Sequence, residues 1–272
     1  MSWWLAGLMG VVQGITEFLP ISSSAHLRIL SALTGQTDPG ASFTAVIQIG
    51  TILSVLLYFY KDLLSITTST VKGILNTEHR NSDFKMGISI GLATIPIIVA
   101  GYFGQDFIRN QARSLYLVAI VMLLFSSVMY VIDTYAKTNT KIDQLSRSQI
   151  FVIGVAQAFA LIPGFSRSGV TITASRFFGI DRASAARFTF LLSVPAIVLS
   201  GIYEAVGISN NNPSGWAQTI FATLISFIVG YLSIAWLIKW LGSHSLRSFV
   251  IYRIVLSLVI LGLLNGGIIS NV

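Results

Sequence analysis

Residues 13–26 read Q-G-I-T-E-F-L-P-I-S-S-S-A-H, placing a carboxylate, an imidazole and a run of serines inside a chain that is otherwise apolar. Ionisable groups in such surroundings belong at water's edge or in a protein-lined cavity. Gln13 and Glu17 are four apart, so on a helix they share one face, and Pro20 then ends that helix and turns the chain. Ser22, Ser23 and Ser24 follow the break and precede the apolar run 25–33. Serines in that position cap a new helix, whose free N–H groups and positive dipole end make an anion site.

The same sentence is written twice. Gly10-Val11-Val12-Gln13, Leu19-Pro20 and Ser22 to Ser24 are echoed by Gly154-Val155-Ala156-Gln157, Ile162-Pro163 and Ser166-Arg167-Ser168. The echo continues downstream, with Phe43-Thr44 answered by Phe188-Thr189 and Gly101-Tyr102 by Gly230-Tyr231. Four matches in the same order predict a duplicated unit, about 1–135 and about 145–272, within one membrane domain spanning 1–272.

Composition fixes the solvent. With 54% hydrophobic and only 10% charged residues and a mean hydropathy of +0.78, the chain is far from a soluble domain, of which about a quarter is charged. The net charge of +7 comes from scattered loop residues, with no basic run or basic–aromatic interleaving, so no nucleic-acid partner is expected. Cysteine is absent, which excludes disulfides, thiol catalysis and thiolate metal sites. The apolar segment 3–19 resembles a signal peptide, but no Lys or Arg precedes it and Gln13 and Glu17 interrupt it. It is expected to stay with the mature protein.

Six runs, 43–60, 86–103, 115–132, 188–206, 216–238 and 249–269, are long enough to cross a hydrocarbon core, which takes about 17 to 25 residues. The motif regions 3–33 and 150–178 are pairs of short apolar pieces broken by proline and a polar cluster, and are predicted to be re-entrant hairpins. The predicted fold is therefore an all-α integral membrane bundle of two repeats, each with one re-entrant hairpin and three transmembrane helices. Basic residues orient it, since cytoplasmic loops carry the excess. Twelve, among them Lys61, Lys72, Arg80 and Lys85 in the loop 61–85 and Arg176 and Arg182 after the second motif, fall on the inside; Arg28, Arg109 and Arg113 fall outside. The loop 207–215 is expected outside, as are both termini. Three spans between the motifs turn the second repeat upside down, which brings the two motifs together near the midplane.

Joined, the motifs form an inventory suited to phosphate. Arg167 can grip phosphate oxygens with a bidentate fork, and the two capped helix starts, with Ser22, Ser24, Ser166, Ser168 and Thr171, add donors. Glu17 with Gln13 can hold a divalent cation. Ser23 or His26 can attack phosphorus, the other assisting as acid or base. A plain Glu17–Arg167 ion pair stands beside this reading. Arg253, taken as lying near a span end, is explained by snorkelling.

These motifs, with P-G-F-S-R-S-G-V-T at 163–171, F-T-A-V-I-Q-I-G at 43–50 and I-Y-R at 251–253, resemble the undecaprenyl-diphosphate phosphatase family of bacteria, the bacitracin-resistance proteins. The resemblance covers nearly the whole chain. It implies hydrolysis of the long-chain prenyl diphosphate lipid to its monophosphate, recycling the carrier of peptidoglycan synthesis, with Mg²⁺ or Ca²⁺ as cofactor. It implies a multi-pass protein of the bacterial plasma membrane with its active site toward the extracytoplasmic face; a homodimer is compatible with it. Glu17 then falls on the second acid of the family's pair, Ser23 and His26 on its catalytic serine and histidine, and Arg167 on its phosphate-binding arginine. Gln13 falls on the first position of the pair, where a neutral amide is a weaker metal ligand and no base. The rival class is a secondary transporter or flippase for an anionic lipid or small anion, which is also built from inverted repeats with broken helices.

Overall fold

The computed structural model describes residues 1–35, 40–110, 114–206 and 215–271, with backbone alone at 40–42, 105–110 and 200–206. Eleven α-helices and no strand occur among the described residues. They are α1 (Trp3–Thr16), α2 (Ser23–Thr34), α3 (Gly40–Tyr58), α4 (Tyr60–Leu75), α5 (Ser82–Asn110), α6 (Leu115–Tyr135), α7 (Arg147–Ala158), α8 (Arg167–Phe177), α9 (Arg182–Val206), α10 (Trp216–Leu241) and α11 (Arg247–Asn265). Five of them are long and apolar enough to cross a membrane alone, and α3 with α4 is a sixth candidate bent by 75°. The all-helical membrane fold expected from the sequence is the fold observed.

The two motif regions break as their prolines and serines require. α1 ends before Pro20 and α2 starts at Ser23; α7 runs into a short 3₁₀ turn at Phe159–Leu161, and α8 starts at Arg167. The two N-cap serines, Ser22 (φ 77°) and Ser166 (φ 72°), are the non-glycine residues with positive φ among the described residues. Each holds a conformation that typically costs about 1–3 kcal/mol and persists only where its surroundings enforce it.

The repeats interlock. α1 packs most extensively on α10, which belongs to the other repeat, and α7 packs in the corresponding way on α5; α3 meets α9 and α6 meets α11. The repeated glycines explain these contacts, because a Cβ on Gly10 would lie 2.5 Å from the Ala222 carbonyl oxygen and one on Gly154 2.5 Å from that of Ala93. Small residues let membrane helices approach at backbone distance.

Hydrogen bonds at the helix ends follow the basic-residue asymmetry. On the Lys/Arg-rich side Arg187 pairs with Asp62 at 2.6 Å, Arg182 with Asp133 at 2.7 Å, and the Asn139 and Thr140 N–H groups donate to the Gly179 carbonyl. On the opposite side Ser114 donates to Asn271 and Tyr116 to Asn265, and Trp3 stacks edge-on against Phe221 near the start of α10. The first hairpin enters from this second side and the second hairpin, following 136–146, from the basic side.

Three expectations need correction. Residues 61–85 are not a plain loop, since α4 fills most of the segment: Tyr60, Leu64, Val71 and Ile74 share an exposed apolar stripe, Ile66 and Gly73 face the core, and Lys61 and Lys72 lie on a third side. Arg176 is not a loop cation; it is 2% exposed in α8 and donates to Thr138 and to the Ala136 and Ile180 carbonyls. Arg253 does not snorkel. It is fully buried. The segment 207–214 and Arg113 lie outside the described residues, as does the Arg109 side chain.

Candidate functional site

Helix breaks from both hairpins meet and are stitched together by side chains. The Gly164 N–H donates to Ser22 Oγ (3.2 Å), and Ser168 Oγ donates to the Leu19 carbonyl (3.0 Å). Arg253, reaching in from α11, uses every N–H it has: Nε donates to Ser126 Oγ (2.9 Å), Nη1 to the Pro20 and Phe165 carbonyls, and Nη2 to those of Met122 and Gly164, the last at 2.8 Å. One guanidinium thus binds both breaks to α6. No carboxylate pairs with it among the described residues; carbonyl dipoles carry its charge. The signal that could have found it was available, since an arginine within an apolar span calls for a partner inside the protein.

Around this joint lies a cavity of about 140 Å³ walled by Gln13, Glu17, Ser22, Ser23, Ser24, Gln48, Ser166 and Arg167, among others. Glu17 sits at its centre. Ser23 Oγ donates to Glu17 Oε2 at 2.7 Å, Gln13 Nε2 donates to the same oxygen at 3.1 Å, and Arg167 Nη2 lies 3.8 Å from Oε1. The repeat explains the division of labour. Ser23 and Arg167 occupy equivalent positions at the first turns of α2 and α8, while the place of Glu17 is taken by Leu161 in the second copy. The repeats together contribute one hydroxyl, one carboxylate and one cation.

Arg167 is only loosely held. Its Nη1 is buried with no hydrogen-bond partner, and the 3.8 Å approach to Glu17 is long for a charge-assisted hydrogen bond. A guanidinium that served only to neutralise Glu17 would close that gap; this one leaves Nη1 unpaired.

Three expected site residues are not at the wall. Ser168 is spent on the Leu19 carbonyl and on Ser166, and Thr171 is fully buried one turn further along α8. His26 turns toward α11, its ring stacked on Tyr252. Its Nδ1 lies 2.7 Å from the Ser22 carbonyl, which can only accept, so Nδ1 carries the proton and Nε2 accepts from the Tyr252 hydroxyl at 2.7 Å. Both ring nitrogens therefore have partners. His26→Asn should consequently lose less turnover than the about 10²–10⁴-fold that a general acid–base group contributes; a larger loss at unchanged substrate affinity would return His26 to the chemistry.

A divalent cation fits this donor set in one way. Glu17 is the single carboxylate at the wall, surrounded by neutral oxygens of Gln13, Gln48 and the serines, and no group of three or more His, Cys, Asp or Glu occurs among the described residues. That set suits a hard cation such as Mg²⁺, which needs one or two carboxylates and draws its other oxygens from phosphate and water.

Comparison with known proteins agrees with the geometry. The family model described as bacitracin resistance protein BacA matches residues 6–259. The chain is 45% identical over 267 residues to an undecaprenyl-diphosphatase of Corynebacterium efficiens, covering 97% of this chain and 91% of the relative. It is 44% identical to an undecaprenyl-diphosphatase of Mycolicibacterium smegmatis, covering 99% of both, and 44% identical to undecaprenyl-diphosphatase 2 of Agrobacterium fabrum, covering 99% and 98%. With a match that runs from α1 through both helix breaks into α11, the chain belongs to the bacitracin resistance protein BacA family.

Proposed function

We propose that this protein is a membrane phosphatase that hydrolyses undecaprenyl diphosphate to undecaprenyl phosphate and inorganic phosphate, recycling the lipid carrier of peptidoglycan synthesis and thereby conferring bacitracin resistance. The observation that carries the mechanism is the Ser23–Glu17 hydrogen bond beside an arginine whose Nη1 is unpaired. A cavity of about 140 Å³ accommodates a phosphate group but not a prenyl tail, so the tail lies along the apolar exterior in lipid.

Ser23 Oγ attacks the terminal phosphorus and gives its proton to Glu17 as the P–O bond to the lipid phosphate breaks. Lipid monophosphate leaves with the proton that Glu17 took up; Glu17, again a carboxylate, then takes a proton from water as it attacks the phosphorus, and returns it to Ser23 Oγ as the Ser23–phosphate bond breaks and phosphate leaves. Arg167 and the N–H groups at the starts of α2 and α8 hold the phosphoryl oxygens as charge shifts onto them. Glu17 and Gln13 would hold a divalent cation, which would neutralise diphosphate charge. The cavity's walls include Thr44 and Gln48 in the first half of α3, away from the Lys/Arg-rich ends, which supports access from the extracytoplasmic face of the plasma membrane. The rival transporter needs the anion-binding groups but has no use for a serine hydrogen-bonded to a carboxylate.

The test is phosphate release from undecaprenyl diphosphate by the purified protein in detergent. Release should stop with a chelator and resume with Mg²⁺ or Ca²⁺, and Ser23→Ala should abolish it in a protein that still folds. No release in any divalent metal would sink the enzyme reading; a Ser23→Ala protein with normal turnover would sink the nucleophile. Gln13→Glu adds a charged oxygen ligand to the same site, so it should keep activity and lower the metal concentration needed for half-maximal rate. Unchanged metal dependence in both Gln13→Glu and Gln13→Ala removes this residue from the metal site.

A further inference from the structure

A second cavity, of about 310 Å³, lies at the Lys/Arg-rich ends of the helices, walled by Tyr130, Asp133 and Thr134 at the end of α6, Arg182 at the start of α9, and Ser245 and Arg247 at the start of α11. Its one carboxylate is already engaged. Asp133, 5% exposed, takes the Arg182 Nε–H at 2.7 Å, has Arg176 Nε 3.4 Å away, and accepts the Leu246 N–H at 2.9 Å. Arg182 Nη2 also donates to the Asp133 carbonyl. The nearby Asp181 is turned to the N–H of Ser184 and does not line the cavity.

Donors are left over. Arg182 retains Nη1, and the exposed Arg247 guanidinium has no partner among the described residues. Tyr130 and Ser245 line the same space, which sits at the positive end of the 19-residue helix α11. The Arg247 fork and the remaining Arg182 Nη1, beside a carboxylate that Arg176 and Arg182 already share, leave the cavity cationic, and a guanidinium fork with hydroxyl-bearing side chains at a helix start is the chemistry that receives phosphate oxygens.

We propose that this cavity is a second anion site, distinct from the Glu17–Arg167 cavity, that takes a phosphate-bearing anion at the basic side of the membrane. The source is an anionic phospholipid headgroup or free phosphate, which share that chemistry. Basic pockets between transmembrane helices on this side are suited to headgroups.

The absence of cysteine gives a site-specific readout. Thr134→Cys, at an exposed wall position, reports occupancy through its rate of maleimide labelling in the purified full chain, and the catalytic cavity does not contribute. In detergent, inorganic phosphate at about ten times its dissociation constant should slow labelling about tenfold, while chloride at equal ionic strength should not. Adding Arg247→Gln should abolish the protection and leave hydrolysis and melting unchanged. In nanodiscs without added phosphate, slower labelling in phosphatidylglycerol than in phosphatidylcholine identifies the headgroup as a source; protection by inorganic phosphate alone identifies the free anion. Equal labelling rates under all these conditions, or protection that survives Arg247→Gln, overturns the site. Because the readout is occupancy and not turnover, it stands or falls separately from the phosphatase reading.

Discussion

Arg167→Lys should melt in detergent like the unaltered protein and turn over undecaprenyl diphosphate about 10²–10³-fold more slowly, the usual effect of removing one preorganised donor from a developing oxyanion. Lysine keeps the charge beside Glu17 but has no planar fork. The unpaired buried Nη1 and the long approach to Glu17 are the reasons to expect a catalytic and not a structural loss. If Arg167 only neutralised Glu17, lysine would substitute tolerably, and Arg167→Ala would destabilise by about 3–5 kcal/mol by stranding a buried carboxylate. Glu17→Gln with Arg167→Gln would then regain stability. Turnover and melting measured on the set decide: near-normal turnover by Arg167→Lys means that the phosphate clamp is absent.

Arg253→Met should do the opposite, damaging the fold first and the chemistry through it. Methionine fills much of the space but leaves the Pro20, Gly164 and Phe165 carbonyls without their donor. Each buried group so stranded costs about 1–3 kcal/mol, and the sum is comparable with the about 5–15 kcal/mol that holds a typical protein folded. Low yield and a much lower melting temperature are expected. Arg253→Lys, with three donors in place of five, should fold with reduced stability and place the two breaks imperfectly, lowering turnover more than substrate affinity. A methionine variant that melts and turns over normally would show that the two breaks hold each other without it.

The parts of the site that were legible in sequence are those that break a rule of the membrane. Glu17, the serine run and Arg167 stand out because an apolar chain has no other use for them, and the repeat says that they meet. Arg253 breaks the same rule, yet its role was unreadable because its partners are backbone carbonyls of residues far along the chain, and no residue type marks a carbonyl left open by a helix break. The orientation of His26 was unreadable for a related reason. Which way its ring turns on α2 depends on Tyr252, 226 residues away. The helix in 61–85 was present as a spacing, with Tyr60, Leu64, Val71 and Ile74 along one stripe, but its many hydroxyls and charges read as loop.

The interlocking of the repeats also bears on how the chain is made. α1 leaves the ribosome long before the surface that receives it, on α10. Until α10 and α11 arrive, Gly10 and Gly14 lack the helix they pack against and the Pro20 carbonyl has no donor from Arg253, so the break in the first hairpin is unsatisfied at membrane depth. α7 has no such wait, because α5 is already in place when it emerges. Both breaks nonetheless wait for α11, because Arg253 donates to the Pro20 carbonyl of the first and to the Gly164 and Phe165 carbonyls of the second. A chain cut before α11 should therefore leave the carbonyls of both breaks without their donor and the joint beside the cavity unformed.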